Sequence, residues 1–383
     1  MVSTTEFDEL IEVLRDFIRR EVMPAEAGID ESDEIPGRLI AQAKEMGLYG
    51  YALPAEFGGL GLSVRQQVLV TMELGYTSPA FRSLFGTNNG IAGQVLVLAG
   101  TEEQRKQWLP RLASGEVVAS FALTEPDAGS DPSRLATSAV PVAGPDGDGW
   151  VIDGLKRYIT NAPAADIFMV FARTDPQAPP GKGIGVFIVP ARLDGVAVAA
   201  RDHKMGQAGA WTADVSFSGA RVPADALVGE AAAAGYSTAM RSLAHGRLVI
   251  AAMCVGVMAR LIDESVTYAR ERSQGGHPIA DYQLVQAMLA DSQTEYMAAR
   301  ALVLDAAARY DAGTDQRLAP SAAKYFASEA VGRIADRAVQ IHGGSGYMRG
   351  VPVERLYRDV RLFRIYEGTS QIQQLVIARE MLR

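Results

Sequence analysis

The run "IFMVFART" (residues 167–174) decides the fold class of this 383-residue chain. It is short, rich in apolar and aromatic side chains, and followed by the turn-forming stretch "DPQAPPG" (175–181). Similar runs lie on either side of it: "GWVIDGL" (149–155), "GVFIVP" (185–190) and "ADVSF" (213–217). Gly, Pro and Asp separate these runs at the spacing of an antiparallel barrel or sandwich, which predicts a β domain over residues 121–232.

Helical periodicity replaces this pattern on both sides. Near the N-terminus, apolar residues recur at intervals of three and four, as in Phe7, Leu10, Ile11 and Leu14. After the β region, long stretches such as "LVIAAMCVGVMARLIDESVTYARER" (248–272) show the helical period again. The sequence therefore predicts an α+β chain with a helical domain at 1–120, a β domain at 121–232 and a second helical domain at 233–383.

Composition excludes several classes of function. The formal net charge of −8, with no run of Lys or Arg, argues against a nucleic-acid partner. The first residues carry acids where a signal peptide needs positive charge, and no uninterrupted apolar stretch approaches the roughly 20 residues of a membrane span. We therefore expect a cytoplasmic protein without a membrane partner. The single cysteine, Cys254, lies in an apolar run and is expected to be a buried small hydrophobe.

Familiar nucleotide and metal motifs are not matched. "GGSGYMRG" (343–350) lacks the third glycine of a dinucleotide fingerprint and follows a helix. "GKG" (181–183) lacks the upstream glycine and the Ser or Thr of a phosphate loop. None of the four histidines is paired at ligand spacing, so no metal site is expected.

Three polar stretches in apolar surroundings allow two explanations each. They are "FALTEPDAGSD" (121–131), "RYITNAPAAD" (157–166) and "QIHGGSGY" (340–347). A turn, a strand end and a helix C-cap would explain them without any ligand. Alternatively, their hydroxyls, aromatic rings and glycines could hold a planar ring or a phosphate. The residues by themselves leave this choice open.

A fourth polar stretch, "RIYEGTSQIQ" (364–373), places Glu367 between an aromatic residue and a glycine. Ser370 and Gln373 have the spacing of a capping box, which predicts a helix start directly after the acid. An acid at this position could simply complement the helix dipole, or it could act as a base.

These stretches, together with "ERLYRDVRLFRIYEGTSQIQ" (354–373) and "IARE" (377–380), resemble the acyl-CoA dehydrogenase family in order and spacing. The resemblance runs from the first helix to the last. It implies a helical domain, a central β domain and a C-terminal four-helix bundle, assembled as a homotetramer. It also implies bound FAD, oxidation of an acyl-CoA to the 2,3-enoyl-CoA, and an electron-transferring flavoprotein as the electron acceptor.

The resemblance also assigns cofactor contacts. The residues implied to meet the flavin ring are Phe121, Leu123, Thr124, Tyr158 and Thr160. Arg272 matches an arginine for the FAD pyrophosphate, to which a guanidinium fork is well suited. Further FAD contacts are implied for Gln283, Thr369 and Gln371, and contacts to the FAD of a neighbouring subunit for Gln340, Gly343 and Gly344.

For catalysis, the resemblance implies that Glu367 removes the α-proton while its backbone N–H binds the thioester oxygen. Ser130, Arg247 and Gly368 match positions along the substrate channel. Some family members carry the base on another helix, at the position that matches Gly246. Glycine cannot act as a base, so Glu367 is the candidate.

Arg82 gives the clearest indication of the substrate. It matches an arginine with which glutaryl-CoA dehydrogenases bind a distal carboxylate, although Gly86 replaces a serine of that pattern. A buried arginine needs either a carboxylate ligand or an acidic protein partner. We expect a short or branched acyl-CoA, with a dicarboxylyl-CoA as the alternative. Ala244 replaces an acidic residue common in the family, which leaves a carrier-protein-bound acyl group open as well, and a flavoprotein with the fold alone is a further possibility.

Overall fold

The computed structural model describes residues 3–143 and 147–383. The first part is helical, and several of its helices begin at a serine or threonine whose side chain caps the first turn, as Ser63 and Thr101 do. Its helices are α1 (Thr4–Phe17), α2 (Glu26–Ser32), α3 (Gly37–Glu45), α4 (Val64–Leu74), α5 (Pro79–Asn89), α6 (Ile91–Ala99) and α7 (Glu102–Ala113).

The second part is a seven-stranded sheet. Its strands are β1 (Ala119–Ala122), β2 (Ser138–Val142), β3 (Gly149–Thr160), β4 (Ile167–Arg173), β5 (Ile184–Pro190), β6 (Val196–Val198) and β7 (Thr212–Pro223). The order is β1-β4-β2-β3-β7-β6, with β5 paired to β4. Most pairs are antiparallel, whereas β1 and β2 both run parallel to β4. Strand β1 is an edge strand, and residues 121–124 lie at its carboxyl end.

The third part contains the long helices. They are α8 (Gly235–Glu271), α9 (Gln283–Asp311), α10 (Leu318–His342), α11 (Pro352–Val360) and α12 (Ser370–Met381), with a short hairpin of β8 (Ser273–Gln274) and β9 (His277–Pro278) between α8 and α9. The predicted α+β fold class, with helical domains on both sides of a β domain, is confirmed.

Helix α8 lies at the centre of the molecule and joins the two helical parts. It is long and apolar enough to cross a membrane, but 89% of its most apolar window is buried inside the protein. It shares one core with helices from both parts, including Phe81 of α5 and Val331 of α10. Cys254 of α8 is fully buried as predicted, and this burial raises the pKa of its thiol. The β part has a separate core around Phe168 and Phe217.

Asp359 joins α11 to the β part of the chain through hydrogen bonds with Gln207. Its carboxylate accepts a hydrogen bond from the backbone N–H of Gln207, and Gln207 Nε2 donates to the backbone carbonyl of Asp359 at 3.2 Å. The second carboxylate oxygen, Oδ2, is buried and has no hydrogen-bond partner among the described residues. Burial raises the pKa of Asp359 to about 6. Gln207 is thereby fixed in the wall of the large cavity described below.

We expect the ionisation of Asp359 to lower the free energy of unfolding as the pH rises. The folded state binds the proton more tightly than the unfolded chain, whose aspartate pKa is about 3.9, so this group's contribution to stability is lost between about pH 4 and 6. The loss amounts to about 3 kcal/mol. Asp359→Asn should therefore gain stability over the wild type as the pH increases, measured by urea unfolding at several pH values. Asp305→Asn, at an exposed ion pair of α9, is the control, and a difference between Asp359→Asn and wild type that does not vary with pH would contradict this account.

Candidate active site

A cavity of about 590 Å³ lies where the three parts of the chain meet. This volume is within the range of small-molecule sites. Its wall is formed by α5 and α6, by the ends of β1 and β3, by α8, and by α12 with the turn that leads into it. The residues predicted for the site that line it are Arg82, Phe121, Leu123, Thr124, Ser130, Tyr158, Thr160, Arg247, Glu367 and Gly368.

The remaining predicted residues lie outside the cavity. Thr369 and Gln371 follow Gly368 at the start of α12 but do not reach the cavity wall. The others are exposed at the far end of the helical bundle: Arg272, Gln283, Gln340, Gly343 and Gly344. That end is held together by Tyr268 of α8, whose ring stacks on His342 with 4.2 Å between ring centroids.

Glu367 presents a carboxylate without a partner. Its backbone is left-handed, with φ of 52°, and Gly368 follows with φ of 89°. The Oε2 atom is inaccessible to solvent and accepts no hydrogen bond from the described residues. It also lies against α8, because a Cβ placed on Gly246 would stand only 2.2 Å from Oε2. Gly246 therefore supplies the space that the carboxylate occupies.

The surroundings of Glu367 change the pKa of its carboxyl group. Burial raises the pKa of Glu367, and the positive charges of Arg82, Lys324 and Arg247 partly oppose this effect. Arg247 is itself buried; its Nη1 donates to Ser321 at 3.2 Å, while its Nε has no hydrogen-bond partner in the described part of the chain. A carboxylate with a raised pKa is a stronger base than an ordinary glutamate, yet the cations keep a supply of its charged form.

The turn before α12 is built differently from the predicted capping box, which is wrong. Thr369, not Ser370, is the N-cap and accepts from the backbone N–H of Ile372. The hydroxyl of Ser370 donates instead to Glu329 of α10. Gln373 turns back and donates to the carbonyls of Glu367 and Gly368, at 3.2 and 3.0 Å. The first turn of α12 is thus hydrogen-bonded to Glu367, which carries the carboxylate, and to Gly368.

Arg82 is a buried cation that forms no close ion pair with the described residues. It is 8% exposed, lines the cavity, and takes part in no hydrogen bond or ion pair with the described residues. Gly86, one turn later on α5, makes room for it, because a Cβ there would stand 2.7 Å from its Cζ atom. Of the two partners that the sequence allowed for Arg82, no acidic side chain of the described residues therefore lies within ion-pair distance, and Glu367 interacts with Arg82 only over a longer distance.

Comparison with known proteins settles the family. Models of the N-terminal, middle and C-terminal domains of acyl-CoA dehydrogenase match residues 4–116, 120–220 and 233–382. The chain belongs to the acyl-CoA dehydrogenase family. The predicted resemblance, the assignment as an oxidoreductase acting on CH–CH groups and the FAD cofactor are thereby confirmed.

Three relatives show the range of this family. A 3-(aryl)acrylate reductase of Clostridium sporogenes is 39% identical over 99% of both chains. The CarC subunit of the caffeyl-CoA reductase–Etf complex of Acetobacterium woodii is 38% identical over 96% of both. The solved butyryl-CoA dehydrogenase of Megasphaera elsdenii superposes with a TM-score of 0.94, at 31% identity over 100% of both chains.

The cavity of this member of the acyl-CoA dehydrogenase family fits the cofactor of the family. Thr124 and Thr160 offer hydroxyls beside the ring of Tyr158, which is 59% exposed at the cavity wall. The backbone N–H of Tyr158 donates to Asp214 at 3.2 Å, which fixes the residue in its left-handed conformation, with φ of 56°. A planar ring could pack along this wall, while the unpartnered carboxylate of Glu367 remains available to a second ligand.

Sequence reasoning missed Lys324 and Gln207, and it assigned Gln373 to a capping box and not to the turn at residues 367–368. Lys324 donates to the carbonyl of Gly368 at 2.7 Å. It could have been noticed as the single cation in the alanine-rich stretch "SAAKYFASEA" (321–330), where a buried helix face would otherwise be apolar. Gln373 and Gln207 carry no comparable signal, because glutamines are common on solvated surfaces.

Proposed function

We propose that this chain is an FAD-dependent dehydrogenase that converts a saturated acyl-CoA into the 2,3-enoyl-CoA, with Glu367 as the catalytic base. The observation that carries the proposal is the unpartnered carboxylate oxygen of Glu367 inside a cavity lined by the predicted flavin-binding residues. Structural acids are normally paired when buried, so a carboxylate kept without a partner is suited to accept a proton from a ligand.

The chemistry requires two actions of the turn at residues 367–368. The α-proton of a thioester is too weakly acidic to be lost to a carboxylate in water, so the developing enolate must be stabilised while the base is in reach. The backbone N–H of Glu367 donates to the thioester oxygen, and the carboxylate of the same residue takes the α-proton. The bound flavin supplies the hydride acceptor for the β-carbon.

Cofactor contacts come from two copies of the chain under this proposal. Arg247 at the cavity and Arg272 at the far end are both on α8 or its C-cap, about 38 Å apart along a straight helix. Arg272, Gln283, Gln340, Gly343 and Gly344 therefore lie far from the flavin wall of their own chain. A second copy that brings its far end to this cavity would complete the site, in line with the predicted homotetramer. Size-exclusion chromatography with light scattering tests the assembly.

The predicted electron acceptor is an electron-transferring flavoprotein. The name of the Acetobacterium relative describes a complex with Etf, which supports this prediction. The names of that relative and of the Clostridium relative describe reductases. Because a general base returns its proton in the reverse reaction, the same site serves either direction, and the potential of the acceptor decides which one is favoured.

A direct test mixes the purified flavoprotein anaerobically with thioesters and follows the oxidised-flavin absorbance. The panel contains butyryl-, isobutyryl-, octanoyl-, glutaryl- and succinyl-CoA. Loss of absorbance with one group identifies the acyl class. Reduced protein is then mixed with the matching 2,3-enoyl-CoA, and recovery of the absorbance measures the reverse reaction. A flavin that stays oxidised with every CoA thioester, but not with a carrier-protein thioester, would favour the alternative that Ala244 left open.

A second candidate function is oxidation of a dicarboxylyl-CoA. The unpaired guanidinium of Arg82 in the cavity wall favours it, because a distal carboxylate would supply the missing counter-ion. The two functions share Glu367 and the flavin and differ only in the far end of the acyl chain. The cytoplasmic location remains a prediction from the sequence.

A further inference from the structure

Lys324 is buried where a lysine is costly. It lies on α10 with no exposed surface, and its ammonium group donates one hydrogen bond, to the carbonyl oxygen of Gly368 at 2.7 Å. No carboxylate among the described residues lies within ion-pair distance of it. Removing an ammonium group from water without an ion pair carries a large desolvation penalty. Packing alone does not explain such a residue, because an apolar side chain would fill the same space without that penalty.

The carbonyl that Lys324 holds belongs to the turn that presents the base. Glu367 and Gly368 are consecutive left-handed residues, with φ of 52° and 89°. This conformation is unfavourable for a glutamate and persists only when its surroundings fix it. Gln373 is the second donor to the Gly368 carbonyl, at 3.0 Å. Two donors from two helices, α10 and α12, therefore converge on one oxygen next to Glu367.

The charges of Lys324 and Glu367 provide an independent link between these two residues. The cation at Lys324 is one of the three that oppose the rise in the pKa of Glu367, and Glu367 in turn favours the charged form of Lys324. Burial lowers the pKa of Lys324 to about 8. The other groups that face it are Cys254 and Arg247 from α8 and Glu329 from its own helix.

We propose that Lys324 is a positioning residue for proton transfer: its ammonium group fixes the Gly368 carbonyl and thereby aims the carboxylate and the backbone N–H of Glu367 into the cavity. This inference rests on the proposed function of Glu367. Helix α10 contributes no side chain to the cavity wall. Under this inference it nevertheless controls the geometry of the base, Glu367.

Lys324→Met separates this role from packing, because methionine fills a similar volume without charge or donor. If Lys324 positions Glu367, kcat falls about tenfold to a hundredfold, as a small misplacement of a reacting group causes, while KM changes less than about threefold. Stability in the variant is retained or increased, since the buried charge is gone. A side chain that only filled space would leave kcat and its pH dependence unchanged.

The pH profile and the carboxyl vibration give readouts that a packing role would not move. Without the ammonium group the pKa of Glu367 rises further, so the acid limb of kcat/KM moves to higher pH. Infrared titration of the holoenzyme shows the same shift directly. The carboxyl band of Glu367 is identified by its loss in Glu367→Gln.

Two further variants complete the test. Lys324→Gln keeps a hydrogen-bond donor without the charge, so its kcat should be higher than that of Lys324→Met. The acid limb of kcat/KM should stay shifted. This variant also decides the question if Lys324→Met does not fold. Val331→Ala removes core volume from the same helix and should lower Tm without moving the pH profile.

The outcomes also separate this inference from the proposed function. The inference is overturned if wild-type flavin is reduced by a thioester and both Lys324 variants keep the wild-type kcat and acid limb. If no thioester reduces the wild-type flavin, the proposed function fails. The infrared titration then still decides the inference, since an unshifted Glu367 carboxyl band in Lys324→Met overturns it.

Discussion

Replacing Glu367 by glutamine is expected to slow flavin reduction about 10³-fold while the thioester still binds. Glutamine has the same shape and keeps the backbone N–H, but it cannot accept the α-proton, and loss of a general base costs about 10² to 10⁴ in rate. Anaerobic stopped-flow absorbance gives the rate of flavin reduction, and isothermal titration calorimetry gives the dissociation constant. A wild-type rate in Glu367→Gln would place the base elsewhere.

The wild-type pH dependence should carry the signature of this base. Burial raises the pKa of Glu367, so kcat/KM should increase with pH through a midpoint above the ordinary range of a glutamate. That limb should be missing from the residual activity of Glu367→Gln. A limb that persists in the variant would belong to another group, and the two profiles together therefore identify the titrating residue.

Gly246 offers a way to restore the base in a variant, Glu367→Gly, that lacks it. Because a Cβ at this position would stand 2.2 Å from Glu367 Oε2, a glutamate placed there reaches the space that the native carboxylate occupies. The double variant Glu367→Gly/Gly246→Glu should recover part of the lost rate. Gly246→Glu alone should lose activity, since two carboxylates would compete for one site. Recovery relative to Glu367→Gly alone requires that proton abstraction, rather than folding, is what the loss of Glu367 removes.

The local pattern of the sequence predicted the elements well because burial dictates that pattern. The helical period around Phe7 and Leu14 and the apolar run at 167–174 both describe which face is covered, and each became the expected helix or strand. The parallel pairing of β1 with β4 was not predictable in this way. It joins Ala119 to Ile167 through residues far apart in the chain, and no local pattern specifies such a partner.

The site shows the same division. Glu367 could be identified from its own neighbours in the sequence. The wrong capping box shows that neighbours do not reveal a hydrogen-bond partner that lies far away in the chain. Ser370 donates to Glu329, 41 residues earlier, and this partner becomes available only after α10 and α12 pack together. Gln373 donates to two carbonyls of the preceding turn instead of completing a capping box with Ser370. Lys324 was missed for the same reason: lysines on helices are normally solvated, and only the packed structure shows this one buried.

If the second candidate function, oxidation of a dicarboxylyl-CoA, is the native one, Arg82→Met is expected to reverse the substrate preference. For a dicarboxylyl-CoA such as glutaryl-CoA, kcat/KM should fall about 10² to 10³-fold, because truncating one partner of a buried charge pair costs 2–5 kcal/mol. For butyryl-CoA it should stay level or rise, since an unpaired guanidinium no longer faces the apolar acyl chain. Steady-state kinetics with both thioesters, using an artificial electron acceptor, measures the two effects in one preparation.

Arg82 also acts on Glu367, so the comparison needs a control for the base. The guanidinium is the strongest of the positive charges that oppose the raised pKa of Glu367, and its removal raises that pKa further. Both thioesters should therefore be compared at a pH above the acid limb of each variant. A loss that is equal for glutaryl- and butyryl-CoA would then mean that Arg82 serves the base and not the substrate.

Gly86→Ala tests the same site without removing the charge. The added Cβ would stand 2.7 Å from the Cζ atom of Arg82, so the guanidinium must shift away from its present place. If a distal carboxylate is bound there, preference for glutaryl-CoA should weaken while the pH profile of Glu367 changes little. Arg82→Lys complements it, because a lysine keeps the charge but loses the planar fork that grips a carboxylate with two hydrogen bonds, and should therefore give an intermediate preference.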